Sequence, residues 1–548
     1  MVASGLFGLK EIDQQNTKDV PTAGGTMIEG VIGTPRFINP VLATTKADMD
    51  LVALTYSGLL KLGNDGELQS DIAKSVTISE DKLVYNVVLR DDRYFHDGTK
   101  VMAEDVAFTV SLLQDPNLKS PQRGNWSGIT VEVVGEFELN FVLEAPYTPF
   151  IENLTVGILP KHIWSSLSSE EFPFSQKNIE PVGSGAYQVE EIKRGDSGLI
   201  NEFTLKAAHK GDETANISNI IMRFYQNETD LIEALNKKEI TSTASLSEET
   251  VSKLDQNTWR ILEKPLPRVF AIYFNLNHSP ALRESDVRLA LAKMIDRDDL
   301  INSVLYGVGS PTATPIPPGF SGIESLSSSS PKLSHEERIR EAREILFQAN
   351  WVEKEDGHFE KEIDNENTSL SLTLRSANTP MFEALSQYLE REWSSLGVLV
   401  TVELFEQSDL VQTIIRPRDY QGLLFGADIG RALDFYPFWH SSQREDPGIN
   451  VALYTNITTD KLLSDLRKTD DAEMRNTTLT KFNEEIVSEI PAIFLFSPSF
   501  VYVTARHLRY TDMERIAKPS ERFTNIEDWY INESSVWPIF ADENDKSK

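Results

Sequence analysis

Between residues 370 and 404, two alternating apolar runs flank a single helix whose ends are both marked. Leu370, Leu372 and Leu374 alternate with polar neighbours as in a half-buried strand, and Val398, Val400, Val402 and Leu404 do so again. Between them Thr379 offers an N-cap oxygen, Pro380 a preset φ at the first helical position, and Gly397 a stop. Strand, helix and strand at this spacing join by a right-handed crossover, which places the two strands parallel in one sheet. The chain is therefore α/β or mixed α+β.

Other segments agree. Leu51, Leu54, Thr55 and Leu59 form one stripe of a helix expected over 46–60, and Val106, Val110 and Leu113 do the same over 103–113. Leu83, Tyr85, Val87 and Leu89 alternate as a strand. Ser285 can cap a helix carrying Val287, Leu291 and Met294 inward, and Ser334 with Glu337 spells a capping box. With 548 residues, about three domains are expected.

Two proline-bearing stretches look like crossings between lobes. Pro265 and Pro267 precede an apolar strand at 269–274, and Pro491 precedes another at 492–496. Prolines stiffen short connectors. Two crossings joining one pair of lobes would make 269–489 an inserted lobe on a hinge. The plainer reading is that these prolines only start edge strands. Residues 311–331 read as a surface loop, 10–23 as a polar linker and 541–548 as a disordered charged tail. Residues 2–9 are apolar but too short to span a bilayer. They read either as a frayed start or as the end of an anchor helix whose upstream part is missing from this sequence.

Charge and composition exclude several functions. Eighty-four acidic against 53 basic side chains leave a net charge of −31, which argues against nucleic-acid binding. With no cysteine, thiolate catalysis, disulfides and Cys-ligated metals are ruled out. Gly183-Ser184-Gly185 lacks the spacing of a nucleophile elbow, Gly307-Val308-Gly309 lacks the third glycine of a dinucleotide site, and Gly98-Thr99-Lys100 has no phosphate-loop glycine upstream. His335-Glu336 has no second histidine at zincin spacing. No enzyme, metal centre or cofactor is expected.

Several ordered segments resemble the extracytoplasmic substrate-binding proteins of peptide- and nickel-type ABC importers, the dipeptide/oligopeptide-binding family also called solute-binding protein family five. They are Phe95-His96-Asp97-Gly98-Thr99 with Ala103-Glu104-Asp105-Val106-Ala107-Phe108, Leu159-Pro160-Lys161-His162, Pro181-Val182-Gly183-Ser184-Gly185-Ala186-Tyr187, and Phe274-Asn275 with Val287-Arg288-Leu289-Ala290-Leu291 and Ile295-Asp296-Arg297. The resemblance spans about residues 24–510. By their own chemistry these motifs mark turns, packing and ion pairs rather than a ligand site.

The resemblance implies a mixed α/β, two-lobed clamshell of the type II periplasmic-binding-protein kind with an extra inserted domain, three domains in all. Domain I would comprise 24–59, 181–268 and 490–540, domain II 60–180 and domain III 269–489, with the ligand between domains I and III. In peptide binders of the family an Asp of domain III holds the ligand ammonium. Asp428, ending Leu424-Phe425-Gly426-Ala427-Asp428, and Asp434 compete for that role, although either can be an N-cap or turn residue instead. Phe435, Tyr436, Phe438 and Trp439 offer an aromatic wall or, alternatively, lobe core. Arg431 can meet a ligand carboxylate or pair with a neighbouring Asp. Arg36, Phe37 and Asn39 lie in a loop that borders the cleft in relatives.

The function so implied is extracytoplasmic, in the periplasm or at the outer face of the cytoplasmic membrane. The chain, a monomer without cofactor, would deliver a peptide-like solute to ABC permease subunits without chemical change. The rivals are the same fold holding a metal chelate, haem, an oligosaccharide or a signalling peptide, an envelope chaperone or scaffold, and a hydrolase, for which no nucleophile is evident.

Overall fold

The computed structural model describes residues 18–210, 213–320, 333–511 and 514–536. The apolar start, the charged tail and the end of the 311–331 loop lie outside these residues.

The strand–helix–strand unit forms as its caps imply. Strands Ser371–Ala377 and Leu399–Phe405 pair in parallel, joined by the helix Pro380–Leu396. Thr379 caps the helix through the Phe382 amide, and Gly397 ends it at φ 105°. A Cβ at Gly397 would lie 2.2 Å from the Gly357 carbonyl oxygen, so this left-handed turn needs glycine twice over. Leu385, Leu389, Trp393 and Leu396 bury the inner stripe.

This unit sits in a six-stranded sheet with Gly422–Asp428, Arg268–Phe274, Ala492–Ser497 and the short Ser310–Pro311. A seven-stranded sheet gathers Thr26–Ile32, Tyr187–Arg194, Ile200–Ala207, Asn219–Tyr225, Ser242–Thr243, Trp259–Pro265 and Ser499–Ala505. A four-stranded antiparallel sheet runs from Ala73–Ile78 through Val84–Leu89 and Glu138–Leu143 to Ile129–Gly135. In Val84–Leu89 the alternation places Tyr85, Val87 and Leu89 inward.

The chain passes between the large sheets where the first proline pair stands, at Leu266-Pro267. The second crossing falls later than the sequence suggested. Pro491 only follows the end of the helix Ala472–Glu489, whose cap Ile490 turns left-handed at φ 48°. The next strand, Ala492–Ser497, still pairs with Arg268–Phe274, so the chain crosses at Pro498. The two crossings touch: the Leu266 amide donates to the Pro498 carbonyl at 2.9 Å, and Ser497 Oγ donates to the Leu266 carbonyl at 2.8 Å.

Three local readings change. The helix expected over 46–60 ends at Thr55, and Leu60–Leu62 is a strand after Ser57-Gly58. Ser285 is the first helical residue, with Glu284 at the cap position and no side-chain cap bond. Residues 18–22 of the supposed linker form the strand Lys18–Thr22, paired antiparallel with Asn532–Val536.

Burial divides the molecule. One continuous core includes Met27, Leu51, Val87, Val110, Phe141, Tyr187, Phe203 and Tyr502, joining the seven- and four-stranded sheets. The six-stranded sheet has its own cores on its two faces, one around Leu372, Leu389 and Phe496, the other around Ala271, Leu423 and Phe482. At roughly 1.5–3 kcal/mol per buried large side chain, the four-stranded insert is welded to the first lobe. The second lobe connects to that body through the paired crossings and, away from them, through the contacts of Arg431, Asp434, Arg467 and Asp470.

The motifs that carry the family resemblance fasten this body together. His96 Nδ1 accepts from the Gly183 amide at 3.3 Å while Nε2 faces the Gly185 carbonyl at 3.0 Å. Asp105 receives the Lys161 and Met102 amides at 2.8 and 2.9 Å. A Cβ on Gly183 would sit 1.8 Å from the Thr55 carbonyl oxygen. Beneath them Arg522, fully buried, donates to both Asp50 oxygens at 2.7 Å and to Glu29 at 2.9 Å. Burial would lower the guanidinium's pKa, but Asp50 and Glu29 raise it further and keep it charged.

Candidate functional site

Beyond the strand Gly422–Asp428, the segment 429–439 reaches the other lobe and its insert. It borders a cavity of about 600 Å³ whose walls come from three places. Gly66–Leu68 and Thr148–Glu152 belong to the insert, Arg515 to the C-terminal part of the first lobe, and Phe320, Arg431, Leu433 and Arg475 to the second lobe. That volume is within the range of small-molecule clefts.

Arg431 is the sequence-derived candidate that lines this cavity. Its side chain is 10% exposed and spans the junction: Nη2 lies 2.5 Å from Glu521, Nη1 donates to the Gly66 carbonyl at 3.3 Å, and Nε stands 3.6 Å from Glu152. One guanidinium thus faces two carboxylates. Burial raises the Glu152 carboxyl to about 7, with Arg431 pulling it down, Glu521 pushing it up, Lys518 pulling it down and Glu67 pushing it up. Arg475 at the same wall is held by the Leu466 and Ala432 carbonyls, and burial lowers its pKa against the pull of Asp434.

Asp434 does not stand open. Both oxygens accept from Arg467, at 2.6–3.1 Å, and Tyr147 of the insert donates to Oδ2 at 3.3 Å. The same guanidinium lies 3.9 Å from the Tyr436 ring and 5.3 Å from the Tyr147 ring. Asp428 ends its strand opposite Arg268, whose Nε donates to it at 2.9 Å, and both side chains are more than a third exposed. Each candidate acid therefore has an arginine partner.

The aromatic run divides. Phe435 and Trp439 are core, the first packed on Phe482 and the second on Tyr273, Tyr454 and Phe494. Tyr436 is half-buried, stacked on His440 with ring centres 4.0 Å apart. Phe438 is partly buried against the same core. In the early loop, the Arg36 and Phe37 amides both donate to Asp48 Oδ1, and the Arg36 guanidinium lies over the Phe37 ring at 5.1 Å. Asn39 is fully buried, bonded to Asn178 and to the Val41 amide.

Glu152 escaped the sequence reading. It follows the apolar Pro149-Phe150-Ile151 in the insert, and nothing local distinguishes it from any other acid of so acidic a chain. Among the described residues no group of three or more His, Asp or Glu is placed to hold a metal ion, and no helix is long and apolar enough to cross a membrane.

Comparison with known proteins gives a consistent result. The sequence profile described as "Bacterial extracellular solute-binding proteins, family 5 Middle" matches residues 67–446. The oligopeptide-binding protein AppA of Bacillus subtilis is 24% identical over 522 residues, covering 93% of this chain and 92% of its own. The structure of B. subtilis AppA in complex with a nonapeptide superposes with a TM-score of 0.68 at 23% identity, over 94% of this chain and 100% of that one. NikZ from Campylobacter jejuni in complex with Ni(L-His) gives a TM-score of 0.69 at 24% identity, over 92% and 99%.

Proposed function

The chain belongs to the bacterial extracellular solute-binding proteins of family 5, and from that premise we propose that it captures a peptide-like solute between its two lobes and delivers it to the permease of an ABC importer. The observation that carries this reading is the cavity of about 600 Å³ walled by both lobes and the insert, with Arg431 reaching across it. The likeness to oligopeptide-binding AppA supports a peptide-like guest. The protein acts as a monomer outside the cytoplasmic membrane, and no chemical step follows capture.

A three-domain division along the sheets fits this reading. Domain I carries the seven-stranded sheet, domain II is the insert at about 60–180, and domain III runs from about 268 to 497. Ligand enclosed between domain III and the body formed by domains I and II stabilises the closed arrangement, because only that form touches it from both sides. Asp434 with Arg467 fixes the aromatic segment, and the half-exposed Arg268–Asp428 pair lies beside the first crossing, outside the cavity lining.

Native mass spectrometry of the gently purified protein, with sequencing of whatever it releases, tests the proposal. The expected finding is one or more short peptides at near-stoichiometric occupancy, displaced by added peptide. Recovery of a haem, sugar or metal chelate in their place would overturn it.

A further inference from the structure

We propose that Glu152, from the insert, is the counter-ion for a cationic group of the bound solute, an α-ammonium or an amine side chain. This rests on the reading of the cavity as the ligand site, and it moves the ammonium anchor off the second lobe. Three observations support it.

The first is position. Glu152 lines the cavity, whereas neither Asp428 nor Asp434 does.

The second is charge balance at Arg431. That guanidinium gives Nη2 to Glu521 at 2.5 Å and Nη1 to the Gly66 carbonyl at 3.3 Å, and it leaves Glu152 at 3.6 Å, beyond a hydrogen bond. Lys518 and Glu67 also face Glu152, and Tyr147 stands nearby with its hydroxyl pushed up by burial, then by Asp434. Glu67 has its own weak partner, Arg515, at 3.9 Å. A second cation arriving through the cavity would give Glu152 a hydrogen-bonded partner of its own.

The third is the state of the rival acids. Asp434 accepts three hydrogen bonds from Arg467, and Asp428 one from Arg268, so each rival acid already holds a hydrogen-bonded guanidinium, whereas Arg431 approaches Glu152 only to 3.6 Å. Burial holds the Glu152 carboxyl up to about 7, and a cation bound beside it favours the ionised form. Cation binding therefore favours the carboxylate, and affinity rises as pH climbs through about 7.

The experiment uses two pools of tri- to pentapeptides, identical except that one is N-acetylated and free of Lys and Arg, and also 1,5-diaminopentane, which offers only ammonium groups. Binding to wild type, Glu152→Gln and Asp428→Asn is measured by calorimetry at pH 6, 7 and 8, with unfolding curves to show that the variants fold. The expected result is at least tenfold tighter binding of the free-amine pool than of the acetylated pool by wild type. That preference strengthens from pH 6 to 8 and is lost in Glu152→Gln but kept in Asp428→Asn. Retention of the preference in Glu152→Gln overturns the anchor while leaving the peptide reading intact. Failure of both pools, with Glu152-dependent binding of the diamine, keeps the anchor and removes the peptide reading. No binding of either pool or of the diamine by wild type removes both.

Discussion

At the scale of single residues, the stability of the first lobe depends on a few buried polar groups that satisfy one another. Arg522 is wholly buried between Asp50 and Glu29, so Arg522→Met would take from two buried carboxylates the guanidinium they share. The expected cost is about 3–5 kcal/mol, read as a lowered urea midpoint. Gly183→Ala must move backbone, because its Cβ would fall 1.8 Å from the Thr55 oxygen. A loss of about 3 kcal/mol or more is expected in the same assay. His96 adds a pH dependence of known sign. Burial holds its pKa below the ordinary value, against the opposing pull of the Gly185 carbonyl and Asp97. Its contribution is present above the unfolded value near 6.5 and is lost as pH falls through the folded value. Wild type should therefore lose more thermal stability between pH 7 and 5 than His96→Gln, and equal losses would refute a buried neutral ring. The motif containing His96 was legible because turn chemistry is local. The candidate acids were not, since Asp434 is decided by Arg467 and Tyr147, which lie 33 and 287 positions away.

At the scale of elements, local signals succeeded where an element closes on itself. The helix Pro380–Leu396 was readable at both ends because Thr379, Pro380 and Gly397 act within one turn of their own positions. Thr379→Ala should cost about 1 kcal/mol, the usual value for an N-cap. Gly397→Ala should cost more, since it meets both a positive φ and the Gly357 carbonyl. Denaturant midpoints of the two variants check the ranking, and the reverse order would show that the Gly357 loop yields easily. Long-range pairing was beyond reach. Nothing polar and aperiodic in Lys18–Thr22 announces a partner at Asn532–Val536, and nothing in Ala492–Ser497 says which lobe's sheet it joins. Pro491 misled because a proline beyond a helix end and a proline at a hinge look alike in sequence.

At the scale of the whole molecule, the crossings and the far edge of the cleft do different work. The crossings hold each other by two hydrogen bonds, and each is a break of one or two residues between a strand of one large sheet and a strand of the other, which suits them to act as a pivot. Away from them, the second lobe meets the insert through contacts that water can replace. Lys82 pairs with Asp470 at 2.6 Å, Tyr147 donates to Asp434 at 3.3 Å, and the Thr148 amide donates to the Arg467 carbonyl at 2.9 Å. In the Lys82–Asp470 pair the carboxylate is largely exposed, so the pair contributes about 1 kcal/mol, and the tyrosine hydrogen bond adds a similar amount. Lys82→Ala with Tyr147→Phe should therefore remove roughly 1–2 kcal/mol of lobe docking while leaving both cores whole. Small-angle scattering of the ligand-free double variant should give a larger radius of gyration than wild type, and high salt should move wild type in the same direction. Ligand affinity should fall by up to about tenfold, because binding must first recover the closed population. An unchanged radius with unchanged affinity would mean that these contacts do not hold the closed form, which the crossings and the bridge from Arg431 to Glu521 and Gly66 would then fix.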